Sequence, residues 1–231
     1  MKYAKVVEAE FLSRPNRFIA KVILEGREEV VHVKNTGRCK ELLIPGVKVY
    51  LEESPVQTRK TKYDLIAVEK KNTDGTLKLI NMDSQAPNKA AAEWLESYPI
   101  FGKTESVRAE VYSENSRFDF AVTGELGSGF VEVKGVTLED NGVVMFLDAP
   151  TERGVKHLKE LTELSKKGIP CAVVFVIQMS GVRYFTPNSK THPQFSSALK
   201  EAGESGVKIV ALTSHVTPDT MVIDSEVEVQ L

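Results

Sequence analysis

Short apolar runs separated by turn residues fill the first eighty positions. Stretches 18–24, 30–33, 47–51, 65–68 and 77–80 are rich in aliphatic residues and too short for helices, so they predict five strands. Residues 38–43, closed by Pro45-Gly46, read as one short helix among them. Five strands of this size suit a small OB-like barrel. The pattern changes over 81–87, after which alanines, Trp94 and Leu95 give 88–96 a helical spacing. We place a boundary there, with a barrel over 1–82 and a second domain over 83–231. In the second domain, strands at 107–112, 118–122, 130–136 and 143–147 precede a helix over 151–167 that stops at Gly168. Its start is marked by Pro150 and by Asp148 or Thr151 as a capping side chain. A continuous apolar strand, 172–178, a helix, 194–202, and a strand, 207–212, complete the order. Such an apolar strand is the kind buried on both faces of an α/β sheet. The expected class is α/β (α+β), an OB-like barrel followed by a mixed sheet flanked by helices.

Charges interrupt this pattern at one informative place. Glu132 and Lys134 stand in the apolar run 130–136, on one strand face, with Val131 and Val133 on the other. Asp119 sits in the preceding strand, across the turn-rich stretch 123–129. Two carboxylates brought together by neighbouring strands make a site for Mg²⁺ or Mn²⁺, and a lysine beside them can orient an attacking water. That chemistry is phosphodiester hydrolysis. The tripeptide alone carries little, because Glu69-Lys70-Lys71 repeats it and 27% of the chain is charged. The second copy opens the polar run 70–75 and reads as a solvated turn, whereas charges in an apolar strand need a partner or a ligand. A structural ion pair stays open as the alternative.

Further cations could serve a phosphate backbone. Arg153 and His157 lie four apart on the helix over 151–167 and share a face that can look toward Glu132 and Lys134. Lys156 and Lys159 read as a solvated helix face. Gln178, ending the apolar strand, could hydrogen-bond the lysine or a phosphate. In the first third, Arg14, Arg17, Arg38, Lys40, Arg59 and Lys60 form basic segments, interleaved with glutamates that a fold could separate from them. The net charge of −2 argues against wholesale polyanion binding, so any nucleic-acid surface must be local.

Composition narrows the rest. The chain has 231 residues, 42% of them hydrophobic, with no apolar run near the ~18 residues a membrane span needs and no signal-like core after Met1. A cytoplasmic protein without membrane contact is expected. Cys39 and Cys171 lie far apart without metal-site spacing and read as thiols.

The motifs together resemble a known family. Asn35-Thr36-Gly37-Arg38, Pro45-Gly46, Arg59-Lys60-Thr61, Pro87-Asn88, Ser116-Arg117-Phe118-Asp119-Phe120, the run 131–138 around Glu132 and Lys134, the run 146–154 and His157-Leu158-Lys159-Glu160-Leu161 are similar to the sugar fermentation stimulation protein family. The resemblance spans nearly the whole chain and is most specific from Arg117 to Leu161. It implies an OB-like N-terminal domain and a restriction-endonuclease-like C-terminal domain of the PD-(D/E)xK type. It also implies DNA binding that is largely sequence-nonspecific, and a link to regulation of sugar catabolism genes. On this resemblance Asp119, Glu132 and Lys134 match the acid, acid and lysine of the nuclease motif, with Asp119 and Glu132 as metal ligands. The motif departs from its literal name, because no proline precedes Asp119. A DNA-binding regulator without catalytic activity is the rival reading; a protein-binding scaffold is a third. DNA is the expected partner, with RNA left open, and a homodimer would suit a nuclease that cuts duplexes.

Overall fold

The structure, a computed structural model, describes residues 1–35, 37–56, 58–113, 116–147 and 150–231. Asp148, named above as a helix cap, lies outside the described residues. Thr36 of the Asn35–Arg38 motif does too.

The N-terminal half is a six-stranded closed sheet. Its strands are β1 (Val6–Asn16), β2 (Ile19–Leu24), β3 (Arg27–Val33), β4 (Lys48–Glu53), β5 (Tyr63–Lys71) and β6 (Leu77–Asn81), in the order β3-β2-β1-β4-β5-β6. Parallel pairing of His32 with Asp64 and Val33 with Leu65 joins β3 to β5 and closes the barrel. Five of these strands match the expected runs; β1 is the addition. Its period-2 signal is present, with Ala9 and Phe11 buried between exposed Glu8 and Glu10. The terminal Arg14-Pro15-Asn16 disguises it as a loop. The expected helix at 38–43 is a single turn in which Leu42 and Leu43 both donate to the Cys39 carbonyl. The two leucines are buried in the barrel core, so their apolar signal came from plugging the barrel rather than from a helix face. Likewise Glu69-Lys70-Lys71 belongs to β5, and the turn begins only after it.

The C-terminal half is a nine-stranded mixed sheet with three helices among the described residues. After α1 (Ala86–Ser97) come β7 (Thr104–Ser113), β8 (Ser116–Gly124), β9 (Gly127–Val136), β10 (Leu138–Asp140) and β11 (Val143–Phe146). Then follow α2 (Glu152–Lys166), β12 (Cys171–Ile177), β13 (Tyr184–Pro187), α3 (Pro193–Glu204), β14 (Lys208–Val216) and β15 (Met221–Val229). The sheet runs β10-β11-β13-β15-β14-β12-β9-β8-β7. β12 is buried at every position and pairs in parallel with both β9 and β14, as its unbroken apolar run requires. β10 and β13 are too short to signal, and β15 alternates apolar residues with Asp224, Glu226 and Glu228.

Helix α1 packs on one face of the sheet through Ala86, Ala90, Ala91 and Leu95, against Val131, Val133, Val174 and Val176. Helices α2 and α3 cover the opposite face through Leu158, Phe195 and Leu199, over Val173 and Phe175. The α2 start is capped by Thr151, whose hydroxyl accepts from the Gly154 amide. Both apolar clusters continue into the barrel: one joins Phe11, Val49 and Leu65 to Phe175 and Phe185, the other joins Tyr50 and Ile66 to the α1 face. The two halves therefore share their cores. Both cysteines are buried, and burial pushes the Cys171 thiol up to about 11.

Candidate active site

The site forms where two strands part. The antiparallel β8–β9 ladder runs from Gly124–Gly127 to Phe120–Val131. At the next β9 donor the Val133 amide bonds the Asp119 carboxylate, Oδ2, at 2.8 Å. On its other edge β9 stays paired with β12 as far as Val136–Ile177. One edge of β9 is thus rigidly held while the other opens around a side chain.

Each carboxylate is held from a different side of the sheet. Asp119 Oδ1 accepts from Asn88 Nδ2 on α1 at 2.7 Å. Glu132, 3% exposed, is held by α2: its Oε1 accepts from His157 Nδ1 at 2.5 Å and from the Lys134 ammonium. An ionised carboxylate has no proton to give, so Nδ1 of His157 is the donor. The imidazole is itself fixed, with Phe118 packed edge-on at a ring separation of 6.0 Å.

The two acids are driven apart electrostatically. Burial pushes the Asp119 carboxyl above its usual range, and the neighbouring Glu132 charge adds to that push against the Val133 and Asn88 hydrogen bonds. Burial also works to raise Glu132, but the His157 hydrogen bond and the Lys134 charge outweigh it and hold that carboxyl below its usual range. Glu132 Oε2 remains buried with no hydrogen-bond partner among the described residues. A buried acceptor left in that state costs about 1–3 kcal/mol, more for a charged group. A divalent cation between Asp119 and Glu132 would relieve both conditions, and an all-oxygen donor set is what hard cations prefer. Among the described residues no third acidic, imidazole or thiol ligand completes a cluster. The protein would supply these two carboxylates, with the remaining ligands from water or substrate.

The other residues singled out from sequence divide sharply. Arg153 is exposed at the rim of an open cleft of about 530 Å³ that also takes in Arg117, Lys156 and His157. Glu152 also lines it, and of the residues at the carboxylates only His157 reaches its wall. Arg17, Arg38, Lys40 and Lys60 are exposed on the barrel, Arg17 lying over the Phe18 ring at 4.7 Å. Arg14, by contrast, donates to the carbonyls of Arg17, Asn35, Gly37 and Arg38 at 2.6 to 2.9 Å and ties the loop there to the barrel. Arg59 forms a two-pronged pair with the buried Asp64. Both arginines are corrected from phosphate contacts to structural ones, since their guanidinium groups already answer buried or loop acceptors. Gln178 is corrected in part. Its Nε2 bonds Asn81 O, Asn81 Oδ1 and Asp83 O at 3.0 to 3.1 Å, so it grips the barrel-to-sheet connection rather than Lys134. Asn88 is the site residue that spacing did not reveal; it lies thirty-one positions from the aspartate it orients.

A closed small barrel joined to a mixed sheet, whose parted strands present two acids and a lysine, defines an OB-like protein with a restriction-endonuclease-like second half. Residues 12–77 match the model of the SfsA N-terminal OB domain, and residues 85–220 that of the sugar fermentation stimulation protein RE domain. The chain belongs to the sugar fermentation stimulation protein family. It is 55% identical over 231 residues to a sugar fermentation stimulation protein homolog of Desulfitobacterium hafniense (strain Y51), covering 100% of this chain and 99% of the relative. A homolog from Ruminiclostridium cellulolyticum is 51% identical over 231 residues, the whole of both chains. The solved structure of Pyrococcus furiosus SfsA in complex with Ca²⁺ is similar at a TM-score of 0.86 and 30% identity, over 100% of this chain and 98% of that one. Among the described residues no helix is long and apolar enough to cross a membrane.

Proposed function

We propose that this protein binds DNA largely without regard to sequence and hydrolyses its phosphodiester bonds at Asp119, Glu132 and Lys134 with a divalent cation. The observation that carries this reading is Glu132: a buried carboxylate with one oxygen held by His157 and Lys134 and the other unanswered. Asp119 and Glu132 would hold Mg²⁺ or Mn²⁺, and the solved relative with Ca²⁺ supports an oxygen-ligated divalent ion. Bound there, the ion supplies an acidified water and a counter-charge for the phosphate.

The chain's own residues do the positioning. His157 and Lys134 keep Glu132 ionised and fix which oxygen stays open. Asn88 and the Val133 amide orient Asp119. Lys134 has donors beyond the one on Glu132, and these can align a water or a non-bridging phosphate oxygen. Arg153 and the exposed barrel cations Arg17, Arg38, Lys40 and Lys60 would hold the flanking backbone, so affinity should fall steeply with salt.

The deciding experiment incubates wild type and Glu132→Ala with labelled single- and double-stranded DNA, and RNA, in Mg²⁺, Mn²⁺ or EDTA. Both cleavage and gel retardation are recorded. Metal-dependent cutting that disappears in the variant is the expected result. Retardation without cutting under every metal would leave a DNA-binding regulator on a nuclease-like scaffold.

A further inference from the structure

A cavity of about 310 Å³ lies where the barrel meets the end of β9. One wall is polar, from Asn35, Ser84, Gly135 and Gln178; another is apolar, including Phe146 and Leu147. Its size is at the lower end of small-ligand cavities, about 300–1,000 Å³, so it suits one small planar group and not a duplex.

The polar wall has a fixed direction. Asn35 is locked by donating to Met82 O and accepting from the Gly37 amide, and Ser84 Oγ donates to Lys34 O. Gln178 is 2% exposed, and three acceptors surround its Nε2, which forbids the flipped amide. The carbonyl Oε1 is therefore the group presented at Gly135, 2.7 Å from where a Cβ would stand. None of the hydrogen bonds among the described residues uses it. A pocket with a fixed, unanswered acceptor on one side and an apolar wall on another calls for a flat ligand carrying an N–H donor. Adenine N6 and cytosine N4 are such donors, and unstacked bases are commonly read by an edge hydrogen bond and apolar packing.

The location ties this pocket to the carboxylates. Gly135 follows Lys134 in β9, and Pro87, also 2.7 Å from the Gly135 Cβ position, precedes the Asn88 that holds Asp119. We propose that this pocket receives a single unstacked nucleobase with an exocyclic amine, so that the neighbouring site acts on single-stranded or locally opened nucleic acid. The proposal rests on the nucleic-acid reading above.

The test uses the full chain and short fluorescent single strands, with binding followed by anisotropy in Ca²⁺ and in EDTA. One strand carries a central cytosine or adenine; its partner carries 2-pyrimidinone or unsubstituted purine, which lack the amine. Removing the amine should weaken binding roughly tenfold, about the net worth of one hydrogen bond. Ser84→Phe, at an exposed position beside the cavity, should bring the two strands to the same affinity. Equal affinity of wild type for both strands overturns the pocket while the nucleic-acid reading stands. No binding to either strand, nor to the duplex each forms with its complement in the same assay, overturns both. If Ser84→Phe fails to fold, the paired strands on the unaltered protein still decide the matter.

Discussion

Glu132 and Glu139 are both buried glutamates facing lysine, yet they are built to opposite ends. Glu139, 5% exposed, has both oxygens answered: Oε2 by Lys70 at 2.5 Å, Oε1 by the Gly142 amide at 2.6 Å and by Lys78 at 3.5 Å. It staples the β10–β11 hairpin to β5 and β6 of the barrel. Glu132 gathers both of its partners on one oxygen and leaves the other bare. A saturated buried carboxylate holds a fold together, whereas a half-saturated one is stabilised only when something else arrives. The difference separates a structural ion pair from a site more cleanly than burial or charge does, since both glutamates share those.

The largest effect that would test this contrast is on chemistry. Glu132→Gln should lower metal-dependent cleavage by about 10³-fold or more, several kcal/mol of charge stabilisation, while the protein stays folded by circular dichroism. Glu139→Gln should leave cleavage per folded molecule near wild type. Next comes stability: Glu139→Ala strands Lys70 beside a half-buried seam and should lower unfolding free energy in urea by roughly 2–4 kcal/mol. If that variant unfolds no earlier than wild type, the staple reading is wrong.

A third expectation concerns Asp119 and pH. Its carboxyl is raised in the fold, so its contribution to stability is fully present below its ordinary unfolded value and is lost as pH rises through the raised one. At neutral pH without metal it is a burden. Asp119→Asn should therefore raise the metal-free Tm at pH 7, and Mg²⁺ should raise the Tm of wild type but not of the variant; ion at a hundred times its Kd is worth about 2.7 kcal/mol. Glu139 behaves oppositely: burial opposes ionisation, but Lys70 and the Gly142 amide hold its carboxyl below the usual range. Its stabilisation is present above the unfolded value and fades as pH falls through the folded one, so acid should loosen the seam.

The smallest effects separate the two kinds of arginine and lysine on the barrel. Arg14→Ala should cost about 1–3 kcal/mol of stability by orphaning loop carbonyls. Lys60→Ala should leave stability unchanged and reduce the slope of log affinity against log salt by about one. A salt slope reduced by Arg14→Ala alone would return that residue to the interface.

How far the sequence reached follows the same physics. The apolar runs announced five barrel strands, six of the nine strands of the second sheet and the helices that flank it, because burial imposes a period. Charged residues inside such a run pointed to Asp119, Glu132 and Lys134; helical spacing put His157 on their side, but as a phosphate contact, whereas it is buried and holds Glu132. Asn88 entered only through the Pro87-Asn88 motif and with no role attached, since that role depends on α1 crossing the sheet where β8 and β9 part. Arg14 and Arg59 were misread because a cation that closes a loop looks the same in one dimension as a cation that meets phosphate. Strand β15 was hidden by its acids, although its alternation is regular.

The rung missing beyond Phe120–Val131 also bears on how this chain can change over generations. Asp119 stands in for a backbone acceptor at the Val133 amide, so a side chain there that cannot accept a hydrogen bond harms folding even where chemistry no longer matters, whereas asparagine keeps the acceptor. Glu132 and Lys134 answer each other and His157 but no backbone group of the ladder. A lineage that binds without cutting would be expected to drift at those two positions first and to retain an acceptor, aspartate or asparagine, at 119, whose persistence says nothing about activity.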